Sequence, residues 1–309
     1  MTDSPLFTVL VVNYNGARHL GPCLAALAGQ TLPRHRYEVV LVDNASADDS
    51  VARVRAEFPW VRVVSQPRNA GFAGGNNAGV PSARGRFLVL LNNDTVADPH
   101  WLAELAAEVA PGVAVASKLV FAHDPGTINS AGLELLRDGR GCDRGFRQAD
   151  VGQFERPCPV FAGCGAAVVF DTAALDGPLF DPRYFMYYED LDAFWRGALA
   201  GRPARYAPRS LVRHVHGGSA GEESPLFRFH VERNRALTGL RNADVFLAVW
   251  GVLGLAARVA RSGAKWAAGR ERGAVFGATA RALASFLVLA PAALAGRYVT
   301  RSRAGASCG

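Results

Sequence analysis

The stretch RGRFLVLLNNDTVADPHW, Arg84 to Trp101, holds an unbroken apolar run, Phe87 to Leu91, that ends on Asn92, Asn93 and Asp94. Apolar residues without alternation read as a strand buried on both faces, the kind found in parallel sheets. The polar tip then lies at the carboxyl edge of the sheet, where open α/β sheets bind ligands. Asp94, followed by Thr95, is a carboxylate placed to meet something there.

Working outward, short apolar runs at Thr8–Val12, Glu38–Val42 and Val61–Val64 read as further strands. Amphipathic stretches at Leu20–Ala28, Asp48–Phe58, Gly75–Ala83 and Pro99–Val109 read as helices between and after them. This βαβα rhythm predicts an α/β fold with a mostly parallel sheet flanked by helices. The first two strands also end in polar clusters, Asn13-Tyr14-Asn15-Gly16 and Asp43-Asn44-Ala45-Ser46. Each cluster alone suits a turn; three at one edge suggest a binding site.

Between the third and fourth strands stands NAGFAGGNNAG, Asn69 to Gly79. Gly71, Gly74 and Gly75 there allow a backbone to approach a ligand, and the helix that follows offers N–H groups to an anion. The stretch is neither a lysine P-loop nor a GxGxxG fingerprint after the first strand. P-loop and nicotinamide-cofactor readings therefore fall away. The region from Ser117 to Pro157 is Gly- and Arg-rich and shows little periodicity. Next, aromatics Phe180, Tyr184, Phe185, Tyr187 and Tyr188 crowd before Glu189 and Asp190, and Leu191, Phe194, Trp195 and Leu199 follow at helical spacing. The two carboxylates thus open a helix beside an aromatic wall. In YAPRSLVRHVHGGS, His214 and His216 fall on one face of a strand by its period of two. Either histidine, with Asp94, suits a divalent metal.

The chain has 309 residues and a formal net charge of +7, unevenly placed. Arg228 to Gly309 carries 13 Lys+Arg against 3 Asp+Glu, which is +10 and leaves −3 for the rest. The five cysteines form no CxxC pair, which points to a reducing compartment and away from structural zinc. The start, MTDSPLFTVLVVNYNG, has no basic segment followed by a long apolar one, so a cytoplasmic location is expected.

Six motifs in series, VVNYNG (Val11–Gly16), LVDNAS (Leu41–Ser46), RNAGFAGGNNAG (Arg68–Gly79), LLNNDT (Leu90–Thr95), FMYYEDLDAFWR (Phe185–Arg196) and HVHGGS (His214–Ser219), resemble the family 2 glycosyltransferases, within them the rhamnosyltransferase-like branch. The resemblance implies a GT-A fold, an inverting reaction and a nucleotide-diphosphate sugar as donor. It implies that Asn92-Asn93-Asp94 stands at the family's Asp-x-Asp metal motif, with Asn in place of the first Asp. Asp94 would then hold Mg²⁺ or Mn²⁺ with His214, or alternatively His216. It further implies Asp190 as general base, Glu189 on acceptor or sugar hydroxyls, and a donor site of Asn13, Asn15, Asp43, Asn44, Gly71, Phe72, Asn76, Asn77, Asn92, Asn93 and Arg233. The donor suggested is dTDP-L-rhamnose, with a UDP-sugar as the alternative, and the acceptor a glycan or polyprenyl-linked glycan; no nucleic acid is implied. A rival reading is a nucleotide-sugar-binding protein without turnover, which Asn92 makes conceivable.

The expected organisation is a GT-A domain over residues 1–241, with a donor half to about 116 and an acceptor half after it, and a helical basic tail over 242–309. In the tail, Val245–Ala257 and Ala282–Ala295 are apolar runs short for a membrane span, Pro291 interrupts the second, and arginines lie between them. Two readings stay open: helices on the inner face of an anionic membrane, or a helical pair that covers a core or a subunit interface.

Overall fold

A computed structural model describes residues 4–216 and 224–306, with side chains to residue 297. Gly217, Gly218 and Ser219 of the histidine motif and Cys308 lie outside the described residues. Contacts divide the chain into two units: residues 4–134, 143–185 and 202–216 form the first, and residues 135–142, 186–201 and 224–306 the second.

The first unit begins with β1 (Phe7–Asn13), α1 (Ala17–Ala28), β2 (Tyr37–Asp43), α2 (Ser50–Glu57), β3 (Arg62–Ser65), α3 (Gly71–Gly79), β4 (Phe87–Asn92), β5 (Thr95–Ala97) and α4 (Trp101–Glu108). It continues through β6 (Ala114–Phe121) and β7 (Ile128–Ser130). After β8 (Leu133–Leu135) and β9 (Gly141–Asp143), a separate two-stranded sheet, come β10 (Cys158–Val160) and β11 (Ala167–Asp171). Then α5 (Glu189–Leu199), in the second unit, precedes β12 (Ala204–His214), which returns to the first. The main sheet runs β10-β12-β6-β11-β4-β1-β2-β3, with β5 on β12 and β7 on β6.

The half from β4 to β3 is parallel, as its unbroken apolar runs demand. Beyond β4 the sheet is mixed, because β11 runs antiparallel to both β4 and β6. Two reversals restore direction, so β6 and its parallel neighbour β12 point the same way as β4. The carboxyl ends of β1, β2, β4, β6 and β12 therefore share one edge. Register completes the alignment: Asn13 pairs with Asp43, Val12 with Asn92, and His214 with both Thr95 and Phe121.

One sheet face, Phe7, Val9, Val11, Val39, Leu41, Val89 and Leu91, forms a core with Leu20, Leu24 and Leu27 of α1 and Trp101, Leu102 and Leu105 of α4. Each such leucine, fully buried, contributes about 2 kcal/mol by removal from water. The other face receives α3 at close range. A Cβ on Gly79 would stand 2.2 Å from Leu10 Cδ1, and one on Gly75 2.7 Å from Val12 Cγ1. The glycine-rich motif thus lets a helix lie against the strands, a role assigned above to ligand approach. The helix also begins at Gly71 rather than Gly75.

The second unit contains α5, α6 (Pro225–Asn242), α7 (Val245–Ala267) and α8 (Gly273–Ala306). The last two correct the expectation from apolar runs. Each continues well past its run, α8 through Pro291, and both are long and apolar enough, by length and composition, to cross a membrane. Each packs against α6.

Candidate functional site

At the carboxyl edge of the first unit, Asn13 is the hub. Its Nδ2 lies 3.2 Å from Asp43 Oδ1, 3.0 Å from Ser46 Oγ and 2.8 Å from Ser50 Oγ, and its Oδ1 accepts from Asn93 Nδ2 at 3.2 Å. The side chain is fully buried. Asn13 therefore ties the ends of β1, β2 and β4 together. Gly16 keeps this link open, since a Cβ there would stand 2.3 Å from Asn13 Oδ1 and 2.4 Å from Asn93 Nδ2. Asn15, at φ 52°, is more exposed; its Oδ1 accepts from Ala47 N at 2.7 Å, which joins the first two polar turns. Asp43 also accepts from Ser46 N at 3.3 Å. Asn44 donates to Gly71 O at 2.9 Å, while its buried Oδ1 has no hydrogen-bond partner among the described residues.

The remaining donor-side candidates are held by backbone. Gly71, at φ 72°, takes a conformation that favours glycine, and a Cβ there would meet Phe185 O at 2.3 Å. Asn76 Nδ2 donates to Phe72 O at 2.9 Å within its own helix. Asn77 is clamped at both ends, donating to Phe180 O at 2.7 Å and accepting from Phe180 N at 2.9 Å. Asn77 thus uses both ends of its amide within the fold, whereas Asn76 uses its Nδ2. Phe72 packs its ring 5.8 Å from Phe180.

Asp94 and His214 come together by sheet pairing. His214 Nε2 lies 3.3 Å from Asp94 Oδ1, and its Nδ1 lies 2.9 Å from Asn129 Oδ1. An amide oxygen accepts, so Nδ1 carries the proton of that bond. Burial raises the Asp94 pKa, but hydrogen bonding and charge attraction from His214, with His19 adding, hold it below the usual carboxylate range. His216 follows the strand end at φ 52°, so the alternation read from sequence does not extend to it. Its ring lies among Phe121 at 5.6 Å, Phe146 at 5.5 Å and His214 at 5.7 Å, with Nδ1 3.2 Å from Asn129 Nδ2. Beneath this corner Cys23 is buried and burial pushes its thiol up to about 12, so it packs rather than reacts.

The pair fits a divalent cation. Two ligands bonded to one small ion at right angles stand about 3 Å apart, close to the observed Asp94–His214 separation. The bond from Nδ1 to Asn129 is the second contact that orients metal-bound histidines. Among the described residues no group of three His, Cys, Asp or Glu side chains forms a metal cage. A cation here would draw its other ligands from phosphate and water, as Mg²⁺ does.

In the second unit, Tyr187 and Tyr188 adopt φ of 66° and 70° immediately before α5. Non-glycine residues seldom hold this conformation unless surroundings impose it. Asn234 Nδ2 does so, 2.9 Å from Met186 O and 2.7 Å from Tyr187 O. Arg233 Nε donates to Asn234 Oδ1 at 2.8 Å, and its guanidinium stacks over Phe229. Arg233 thus orients the residue that pins the loop. Asp190 Oδ1 accepts from Leu191 N at 2.7 Å. Glu189 is only 5% exposed, and its Oε2 has no partner among the described residues. Burial first, then the charges of Asp190 and Asp192, push its carboxyl well above the usual range.

Sequence reading missed Asp192, which is fully buried and accepts from Arg196 Nε at 2.9 Å, Arg241 Nη1 at 3.2 Å and Asn242 Nδ2 at 2.8 Å. It missed Asn129 as well, which lies in a stretch without periodicity. Only the i,i+4 spacing of Asp192 and Arg196 offered a local signal.

The model of the family described as glycosyl transferase family 2 matches residues 8–173, and the chain belongs to that family. An N-acetylglucosaminyl-diphospho-decaprenol L-rhamnosyltransferase of Mycobacterium tuberculosis is 28% identical over 250 residues, covering 72% of this chain and 80% of that protein. The match to glycosyltransferase AglE of Haloferax volcanii is 29% identical over 101 residues, 32% of this chain and 33% of that protein. This chain thus spans only about a third of some curated relatives. Among solved structures, the Pyrobaculum calidifontis mannosyltransferase PcManGT with GDP-Man and Mn²⁺ is similar with a TM-score of 0.57 and 20% identity, over 99% of this chain and 87% of that one. GalNAc-T7 with UDP, GalNAc and Mn²⁺ gives a TM-score of 0.62 and 16% identity, over 79% of this chain and 49% of that one. The fold is that of the GT-A glycosyltransferases.

Proposed function

We propose that the protein is an inverting glycosyltransferase that moves a sugar from a nucleoside-diphosphate donor to a hydroxyl of a glycan or lipid-linked acceptor. The observation that carries this is the Asp94–His214 pair at the edge where five strands end. The polar turns of β1 and β2 beside it offer Asn15, Asp43 and Asn44 to the nucleoside, with Asn13 and Asn93 as positioning residues. Asp94 and His214 would hold Mg²⁺ or Mn²⁺, which would supply Lewis-acid stabilisation of the leaving diphosphate.

Asp190 takes the proton of the acceptor hydroxyl as general base. Glu189, whose carboxyl is pushed well above the ordinary carboxylate range by burial and by Asp190 and Asp192, is suited to hydrogen-bond acceptor or sugar hydroxyls. Likeness to the mycobacterial enzyme favours L-rhamnose as the sugar, a polyprenyl-linked acceptor and action at the inner membrane face. UDP-sugars are the alternative donors. Thermal unfolding with a panel of nucleotide sugars tests this reading. A pyrimidine donor with Mn²⁺ should raise the wild-type midpoint, and His214→Ala should lose that rise while His216→Ala keeps most of it. Protection by a purine donor alone would overturn the donor assignment, and the opposite histidine result the ligand assignment.

A further inference from the structure

Helix α7 buries Ala248, Leu255 and Ser262, which are seven residues apart and so lie on one side. The opposite side carries Phe246 at 80% exposure, Trp250 at 59% and Leu253 at 57%. The rings of Phe246 and Trp250 stack 6.5 Å apart. On α8, Leu287, Val288 and Leu294 are exposed as well. Single exposed apolar side chains are ordinary, but a strip with two large aromatics marks an interaction surface.

Charge says what that surface meets. Val245 to Ala257 has no charged residue, whereas Arg258 to Arg272 holds Arg258, Arg261, Lys265, Arg270 and Arg272 against Glu271 alone. Arg261, Lys265, Arg270 and Arg272 are exposed. The local carboxylates are engaged: Glu232 with Arg258, Asp244 as the cap of α7 and Glu271 with Ser262. An exposed apolar strip with exposed basic side chains beside it, Arg261 on the same side of the helix as Trp250, matches the apolar interface of a bilayer bordered by anionic headgroups. A second copy would present the same basic ends and the same paired carboxylates.

We propose that the outward strip of α7, with the exposed apolar residues of α8, docks on an anionic lipid bilayer and lies in its interface. Although α7 as a whole is long enough to cross a membrane, its charge-free part is only about 20 Å long at 1.5 Å per residue, short of a hydrocarbon core of about 30 Å. The other side of α7 and α8 packs on α6, whose buried residues include Glu232, Arg233 and Asn234, so a spanning arrangement would carry those groups into lipid. The same α6 holds Arg258 through Glu232 and the loop carbonyls of Met186 and Tyr187 through Asn234. On the reading that Asp190 serves the acceptor, docking sets that loop at the membrane plane and favours acceptors carried on a lipid.

The test is sedimentation of the full chain with vesicles of phosphatidylcholine alone or mixed with phosphatidylglycerol. Binding should require the anionic lipid, fall at least tenfold in 0.5 M salt, and fall at least tenfold in Phe246→Ser/Trp250→Ser and in Arg261→Glu/Lys265→Glu. Nucleotide binding by the same variants should stay at the wild-type level, so a failed docking proposal is distinguishable from a failed transferase reading. Equal binding to neutral vesicles, resistance to alkaline carbonate, unchanged binding by both variants, or a wild-type dimer that Phe246→Ser/Trp250→Ser splits would each overturn the proposal.

Discussion

Asp190→Asn should lower turnover by about 10²- to 10⁴-fold, the range that a positioned general base contributes. Asparagine keeps the side-chain oxygen that accepts from Leu191 N. The loop can therefore hold its shape while the basic oxygen is lost. Donor dissociation should change less than about threefold, because a base acts in the chemical step rather than in binding. Steady-state kinetics beside donor titration separate the two quantities. Turnover near the wild-type level would move the role to another group, and an equal loss of donor binding would make Asp190 a structural residue.

Asp192→Ala should destabilise the second unit by about 3–5 kcal/mol, the usual loss when one partner of a buried ion pair is removed. Its carboxylate is fully buried and answers Arg196 and Arg241 together, with Asn242 on its other oxygen. Without it, Arg196 and Arg241, 23% and 14% exposed, lose their shared carboxylate, and Asn242 Nδ2 keeps only Thr238 O. Amide hydrogen exchange in α5 and α6 should accelerate accordingly, and the denaturation midpoint should fall. The comparison is Asp49→Ala, whose pair with Arg53 is 58% exposed on both sides and should leave the midpoint unchanged. Equal effects of the two substitutions would remove Asp192 from its place as the node of this unit.

The parallel half of the sheet was legible because strands buried on both faces carry unbroken apolar runs, as at Phe87–Leu91. Its edge was legible for the same reason, since the polar residues follow directly in sequence. Partners were harder to see. Asn76 and Asn77 look like ligand groups in a string of letters, yet Asn77 is clamped on Phe180, 103 residues away. Strands β7 to β9 escaped because three-residue strands carry too little pattern to read, and β6 because Ser117 and Lys118 break its apolar run. Asn129, which orients His214 from 85 residues away, vanished with them. The lengths of α7 and α8 were misjudged because the apolar run was taken as the helix. Arginine is a good helix former, so α7 continues through Arg258 and Arg261 to Ala267.

The most direct test of the account is release of nucleoside diphosphate from dTDP-L-rhamnose and UDP-sugars by wild type and Asp94→Ala, each with Mn²⁺ or Mg²⁺ and with EDTA. The account predicts that wild type with metal releases nucleotide in the presence of a lipid-linked acceptor. EDTA, or loss of Asp94, should lower that rate and donor affinity together by at least about tenfold, given that a divalent ion supplies several kcal/mol of charge stabilisation. Donor binding without any metal-dependent release would contradict it and leave a nucleotide-sugar-binding protein in its place.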